Sequence, residues 1–449
     1  MSIKKIFFNY IFLYLILTSC SFNNVGSIWT GIDEEKRKAL RILREQDDEI
    51  VKVYSSDEVL PTVEKKRIKN ITLGQPLKNS SWTMTGLNLQ NNSGNLFITG
   101  VDNNFLKKKI GKNKFKIARV SSTPIVFKDS IIISDDTGSV FSVSKNGKIK
   151  WKKNIYKKFY KKIYKNLSFS INNETVYVSD NIGFIYALDF NSGKINWIKN
   201  EEIPLKSDIK VYQNKIYVIN QDNKIICLDT KDGSKVWDYP SLTSFIKLQN
   251  LLSLAISKKG ELITLNSSGD LLKFKSSNGL LYWSYDATRS NFAHDSDFFK
   301  SSKIVLTDNS IIFFASTSLY SFDLFNGALN WKHNIYSQNT PIIDNNNIFV
   351  VTNDGFFINL DQQSGEINWS VNTLKVLKER KQKTTATGAI LASGKFYITT
   401  KNGFLIECSA STGEVLRFKK VGDNIVIPPI ISNGSLYLLT ENSKIYGFN

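Results

Sequence analysis

The side chains that could carry a reaction are few. The chain has two histidines, His294 and His333, and three cysteines, Cys20, Cys227 and Cys408. A zinc site draws several ligands from closely spaced Cys and His, and no CxxC is present. A nucleophile needs a general base beside it, and two isolated histidines assemble no triad. The sequence therefore points to no catalytic centre, no metal site and no cofactor. Cys227 and Cys408 lie in alternating apolar runs at equivalent positions of two repeats, which reads as buried free thiols. Cys20 stands apart. It follows a basic start (Lys4, Lys5), an apolar run from Ile6 to Leu17 and two small residues, Thr18 and Ser19. That apolar run is too short to span a bilayer, so residues 1–20 read as a targeting segment that ends on a thiol.

The rest of the chain is organised by one recurring stretch, Asp189-Phe190-Asn191-Ser192-Gly193-Lys194-Ile195-Asn196-Trp197. It returns ending on Trp237, Trp283, Trp331 and Trp369, upstream in shortened form ending on Trp151, and downstream with Arg417 in the Trp place. In every copy the last position lies four residues after a glycine: Gly147, Gly193, Gly233, Gly279, Gly327, Gly365 and Gly413. Consecutive glycines are 38 to 48 residues apart, a period that marks solenoids or propellers. Before each turn runs an apolar strand such as Ile185–Leu188, and before that a second turn (Asp180 to Gly183) and another strand (Thr175 to Val178). Asp binds its own backbone two residues on and Gly accepts positive φ, so both turns join hairpins. Four strands per repeat make a propeller blade. The Trp residues, one per blade, read as packing anchors and not as binding groups.

The expected fold is all-β: one eight-bladed propeller of four-stranded blades. The last repeat begins near Ile425 and supplies only three strands before Asn449, so an N-terminal strand must complete the C-terminal blade. Phe105 to Ile110 aligns with Ile149 to Asn154, which would place Lys107 in the Trp position. A second candidate surrounds Trp82. Residues 21–75 read as a tether with a short helix between Ile32 and Ile50, and residues 76–449 as the propeller. The formal charge of +19 is spread with Asn and Ile along every repeat, which is a compositional bias and no nucleic-acid footprint. Two denser runs, Lys107–Lys109 with Lys112 and Lys114, and Lys152 to Lys165, are candidates to face anionic lipid headgroups.

Leu17-Thr18-Ser19-Cys20 resembles the lipobox of bacterial lipoproteins, which implies diacylation of Cys20 and an acyl anchor that holds without spanning. Ser21 after the cysteine implies, by enterobacterial sorting, the outer membrane. The stretch Ser121 to Trp151 resembles the repeat of pyrroloquinoline-quinone-type propellers, and Trp82 to Gly86 resembles the opening of that superfamily. Lipobox, linker and one eight-bladed propeller together resemble the BamB family of outer-membrane β-barrel assembly lipoproteins, from about Trp82 to Asn449. The resemblance implies a non-enzymatic scaffold on the periplasmic face of the outer membrane, monomeric within a hetero-complex. Its partner would be the barrel assembly protein, BamA-like, docked through periplasmic repeat domains. The matching positions are Leu242, Phe245, Ile246 and Lys247 after Trp237, and Asp295 and Asp297 after Trp283. The plainer reading puts Phe245 and Ile246 in the core and Asp295 and Asp297 in solvated loops. Pairing of an edge strand with nascent barrel strands is a further family-level implication. Two other functions fit a lipid-anchored propeller: a receptor for an envelope glycan or small ligand, and a quinoprotein dehydrogenase. The second needs carboxylates for a hard cation and commonly a vicinal cysteine pair, and no two cysteines are adjacent.

Overall fold

The computed structural model describes residues 71–449 except 116–121, 242–251, 268, 287–300, 316 and 379–382. Eight four-stranded antiparallel sheets are arranged as the blades of one propeller. Blade 1 is β2 (Ile125–Phe127), β3 (Ser130–Ser134), β4 (Ser139–Ser144) and β5 (Ile149–Asn154), in that order from the axis outward. Blade 2 runs from β6 (Leu167–Asn172) through β7 (Thr175–Asp180) and β8 (Phe184–Asp189) to β9 (Ile195–Asn200). Blades 3 to 7 begin with β10 (Lys210–Tyr212), β14 (Ser253–Ile256), β18 (Val305–Leu306), β22 (Ile342–Asp344) and β26 (Ala386–Ala392). Their outer strands are β13 (Lys235–Tyr239), β17 (Leu280–Asp286), β21 (Leu329–His333), β25 (Ile367–Asn372) and β29 (Val415–Lys420).

The blades are buried on both faces at their middle and wet only at their outer edge. Every residue of β3 is buried, whereas β5 has only exposed and half-buried residues. The core is accordingly a set of clusters between neighbouring sheets, such as Val140, Leu188, Phe169 and Val178 between blades 1 and 2. Burying apolar residues on both faces of a middle strand erases the polar alternation that a one-faced sheet would show.

The repeated Asp-to-Gly turn and the Trp act on different blades. In the blade 2 turn the Asp189 carboxylate accepts the Ser192 amide at 2.7 Å, and Gly193 takes φ +69°. A β-carbon on Gly193 would lie 2.6 Å from Trp151 of the preceding blade, so the glycine is what lets the indole lie flat against the turn. The same approach joins Trp197 to Gly233, Trp237 to Gly279, Trp283 to Gly327, Trp331 to Gly365 and Trp369 to Gly413. Five of these indoles also donate to a backbone carbonyl of the next turn, from 2.8 Å for Trp151 to Phe190 up to 3.1 Å for Trp331 to Gln362. A β-bulge just before the Trp in each outer strand tilts it toward the neighbouring blade.

The ring closes through β1 (Asn104–Lys109), which pairs antiparallel with β32 (Lys444–Phe448) outside β31 (Ser435–Leu439) and β30 (Ile430–Ser432). The register differs by one residue from the sequence alignment. The bulge falls between Asn104 and Leu106, so Leu106 and not Lys107 occupies the Trp position. Leu106 is buried and its Cδ1 approaches Gly147 as the indoles approach the other glycines, while Lys107 is exposed. A strand slipped by one residue turns every side chain to the other face, and the bulge resolves the ambiguity in favour of the apolar residue. The other closure candidate is excluded. Trp82 bridges to Val126 on the innermost strand of blade 1.

Arg417 ends the seventh copy, and its setting explains the exchange. In the eighth blade the outer strand is β1, paired with β32, so no Asp-to-Gly turn joins the two. Arg417 instead reaches Asp102 just before β1 at 2.5 Å, and its Nε donates to buried Glu407 at 2.6 Å. Cys227 and Cys408 are buried free thiols, but they are not equivalent. Cys227 pairs with Trp237, whereas Glu407 pairs with Arg417, which puts Cys408 one residue further on and on the other face.

Candidate functional site

Of the tether expected over 21–75, residues 21–70 with the helix between Ile32 and Ile50 lie outside the described residues, and residues 71–103 run as a strap ahead of β1. They circle the inner strands and meet the blades in order. Trp82 exchanges backbone hydrogen bonds with Val126 of blade 1, and Thr83 accepts from Ile171 of blade 2. Lys210 of blade 3 comes next, followed by Gln90 between Ile256 of blade 4 and Leu306 of blade 5. Asn92 then accepts from Ile343 of blade 6, Leu96 donates to Leu391 of blade 7, and Thr99 donates to Gly434 of blade 8. The strap forms the floor of an axial cavity of about 280 Å³, with Trp82, Thr85, Gly86, Asn91 and Ser93 on its underside. The walls are the starts of the first strands, among them Ser122, Asn166, Asp208, Lys303 and Pro428.

The charges on this axis form a connected stack. Lys210 is fully buried and its ammonium donates to the Thr85 carbonyl at 2.8 Å, the Asn88 carbonyl at 2.7 Å and Asn91 Oδ1 at 2.7 Å. Burial pushes the Lys210 ammonium down to about 7, against the attraction of Asp208. Asp208 pairs with Lys303 at 2.6 Å and accepts from Ser168 at 3.2 Å. Burial works against its charged form, but Lys303 and Lys210 outweigh it and hold the carboxyl below the usual range. Asp180, the other carboxylate on the wall, accepts three backbone amides on Oδ1 and the Tyr156 hydroxyl at 2.5 Å on Oδ2. Burial raises its pKa even so.

A quinone cofactor with a hard cation would require free carboxylate or amide oxygens converging on one point. Both carboxylates here are already committed to protein donors. Among the described residues no group of three or more His, Cys, Asp or Glu is placed to hold a metal ion. The two lining carboxylates do not fit such a group, and the described walls offer hydrogen-bonding side chains such as Ser122, Asn166 and Ser207.

The other candidate surface is the rim where outer strands pass to the next blade. Leu242, Phe245, Ile246 and Lys247 follow β13, and Asp295 and Asp297 follow β17, and all six lie outside the described residues, as does Cys20. The stems on either side are described. Ser241 is held by Asn266 at 2.9 Å, Asp238 by Lys224 at 2.7 Å and Lys235 at 2.8 Å, and Tyr285 packs edge-on to Phe322 with ring centres 4.9 Å apart. Both stretches thus depart from neighbouring, well-anchored blades, 3 and 4. Sequence reading missed the strap, because its Asn- and Ser-rich composition carries no strand period, and missed Lys210, which looks like any strand lysine.

The family model described as outer membrane protein assembly factor BamB matches residues 136–371. The chain belongs to this family. The assembly factor BamB of Moranella endobia is 21% identical over 340 residues, covering 63% of this chain and 84% of that one. An uncharacterized protein of Rickettsia conorii is 24% identical over 404 residues, 85% of this chain and 94% of its own. Among solved structures, BamB from Moraxella catarrhalis superposes with TM-score 0.63 at 14% identity, covering 77% of this chain and all (100%) of that one. A europium-containing methanol dehydrogenase superposes with TM-score 0.61 at 14% identity, covering 82% and 89%. These structural likenesses establish the shared propeller, not a shared chemistry. The BamB match runs from the turn between β3 and β4 into β25, so it takes in both stretches of the blade 3 and 4 rim.

Proposed function

We propose that this BamB-family chain is a non-enzymatic scaffold of the outer-membrane β-barrel assembly machinery. Acylated Cys20 anchors it to the periplasmic face of the outer membrane, and residues 1–20 hold the signal peptide and lipobox, cut just before that cysteine. The rim of blades 3 and 4 docks a periplasmic repeat domain of the BamA-like barrel assembly protein. Leu242, Phe245 and Ile246 supply apolar anchors, while Lys247, Asp295 and Asp297 supply charge contacts around them. Apolar anchors at the centre of such a patch carry most of the energy, and rim charges set register and association rate. One observation carries the reading: the family match spans the blades that bear both stretches. The committed carboxylates of the axial cavity favour a scaffold over a quinone enzyme. The test is recovery of the full chain from detergent-solubilised membranes with its companions identified by mass spectrometry. A barrel protein with periplasmic repeats is expected, and it should be lost in Asp297→Lys while thermal unfolding is unchanged. Recovery of a bound quinone or glycan without a barrel protein would overturn the proposal.

A further inference from the structure

The connection from β5 to β6, residues 155–166, contains a feature that the scaffold reading leaves unused. Its 3-10 turn, Lys158–Lys162, holds Phe159 with 81% of its surface exposed, and Ile163 beside it is 43% exposed. Lys157, Lys158 and Lys162 surround this apolar tip, all exposed, and no acidic residue occurs between Trp151 and Leu167. A solvent-facing phenylalanine on a loose loop would mean little. This loop is built. Lys165 is 2% exposed, donates its ammonium to the carbonyls of Tyr160 and Ile163, and lies 4.8 Å over the ring of Tyr156. Tyr160 packs on Phe184 with ring centres 5.3 Å apart, and Asn181 donates to the Tyr164 carbonyl at 3.2 Å. The turn is thus braced from beneath while its apolar tip is held away from the core.

A second segment extends the same patch. Phe115 meets Tyr164 edge-on with ring centres 6.3 Å apart, which brings exposed Lys112 and Lys114 alongside. Among the described residues none of Lys112, Lys114, Lys157, Lys158 and Lys162 forms an ion pair. The two basic runs therefore converge on one convex, apolar-tipped knob. A knob offers no groove for a peptide or strand. An apolar ring inside a collar of unpaired cations matches a layered partner, with acyl chains beneath a plane of anionic headgroups.

We propose that residues 157–163, together with Lys112 and Lys114, form a membrane-contact site for an anionic lipid surface. Phe159 and Ile163 enter the headgroup layer and the lysines pair with its phosphates. This contact is independent of the docking rim and of the acyl anchor. The anchor confines the protein to a membrane, whereas this site would fix one edge of the propeller, at blades 1 and 2, against it.

The test is amide hydrogen exchange on the full chain reconstituted into vesicles of phosphatidylcholine alone or mixed with phosphatidylglycerol. Flotation checks that the chain is retained in both, through the acyl anchor of the proposed function, so that retention does not confound the local reading. Peptides covering 157–163 should exchange several-fold more slowly on the anionic vesicles, and added salt should reduce the difference. Phe159→Ser and the triple change Lys157→Glu, Lys158→Glu, Lys162→Glu should each abolish it, while exchange in the blade strands stays unchanged. Equal exchange on both vesicle types would overturn the proposal, as would protection that survives both variants or that free inorganic phosphate reproduces.

Discussion

Single residues decide how the ends of this ring meet. Arg417 occupies a position that six other copies fill with Trp, and its partners are Asp102 and buried Glu407 rather than a glycine turn. Arg417→Ala leaves Glu407 with Lys395 alone, at 2.9 Å, as its ionic partner. The expected loss is about 1 kcal/mol, less than for stranding a buried charge completely. Asp102→Ala should cost clearly less, since that carboxylate is solvated, and paired denaturant melts will rank the two. Lys210 is the other deciding residue. In the unfolded chain it titrates at its ordinary 10.5 and in the fold at about 7, with Asp208 and Lys303 the charged groups facing it. Between those values the unfolded state binds more protons, so stability should rise with pH, and the full cost of the buried cation applies below about 7. Melting temperatures of the wild type and Lys210→Met measured from pH 7 to 9 will check this. The wild type should gain relative to the variant as pH rises, and parallel curves would refute the titration.

Elements show what could be read in advance and what could not. The four strands per blade, both turns and the clasping Trp residues were legible because each repeats with one period and a local mechanism. The eightfold count followed from seven turns and an incomplete last repeat. The position of Leu106 was not legible, because a bulge moves the register by one residue and nothing in Phe105-Leu106-Lys107 announces it. The strap was hidden for a different reason. Its order comes from hydrogen bonds to eight separate blades and not from any pattern of its own. The residues proposed for docking, Leu242, Phe245, Ile246, Lys247, Asp295 and Asp297, rest on resemblance, and the strands before them, β13 and β17, are described. Closure itself can be tested at this scale. Deleting residues 443–449 removes β32, leaving β1 unpaired and blade 8 with two strands. Unfolding of the truncated chain should lose its cooperativity, with early exposure of Tyr437 and Leu106. A single sharp transition would contradict closure by this strand.

Where described, residues 71–449 form a ring of eight blades whose inner strands are crossed by residues 71–103, with Lys210, Asp208 and Lys303 paired at the axis. A fold of this kind hosts many functions, and the scaffold role proposed above rests on surfaces of particular blades. Two surfaces are proposed on it, a docking rim on blades 3 and 4 and a basic, Phe-tipped knob between blades 1 and 2. The positive charge, diffuse in sequence, is gathered locally where exposed lysines meet on that knob. The central claim is that the molecule works by holding a barrel assembly protein through the rim. The most direct measurement is co-purification of that protein with the full chain from solubilised membranes, comparing the wild type with Lys247→Glu and Asp297→Lys. The account predicts a barrel protein with periplasmic repeats recovered with the wild type and strongly reduced with either variant, both of which unfold as the wild type does. Equal recovery with all three, or no barrel protein with any, would contradict it.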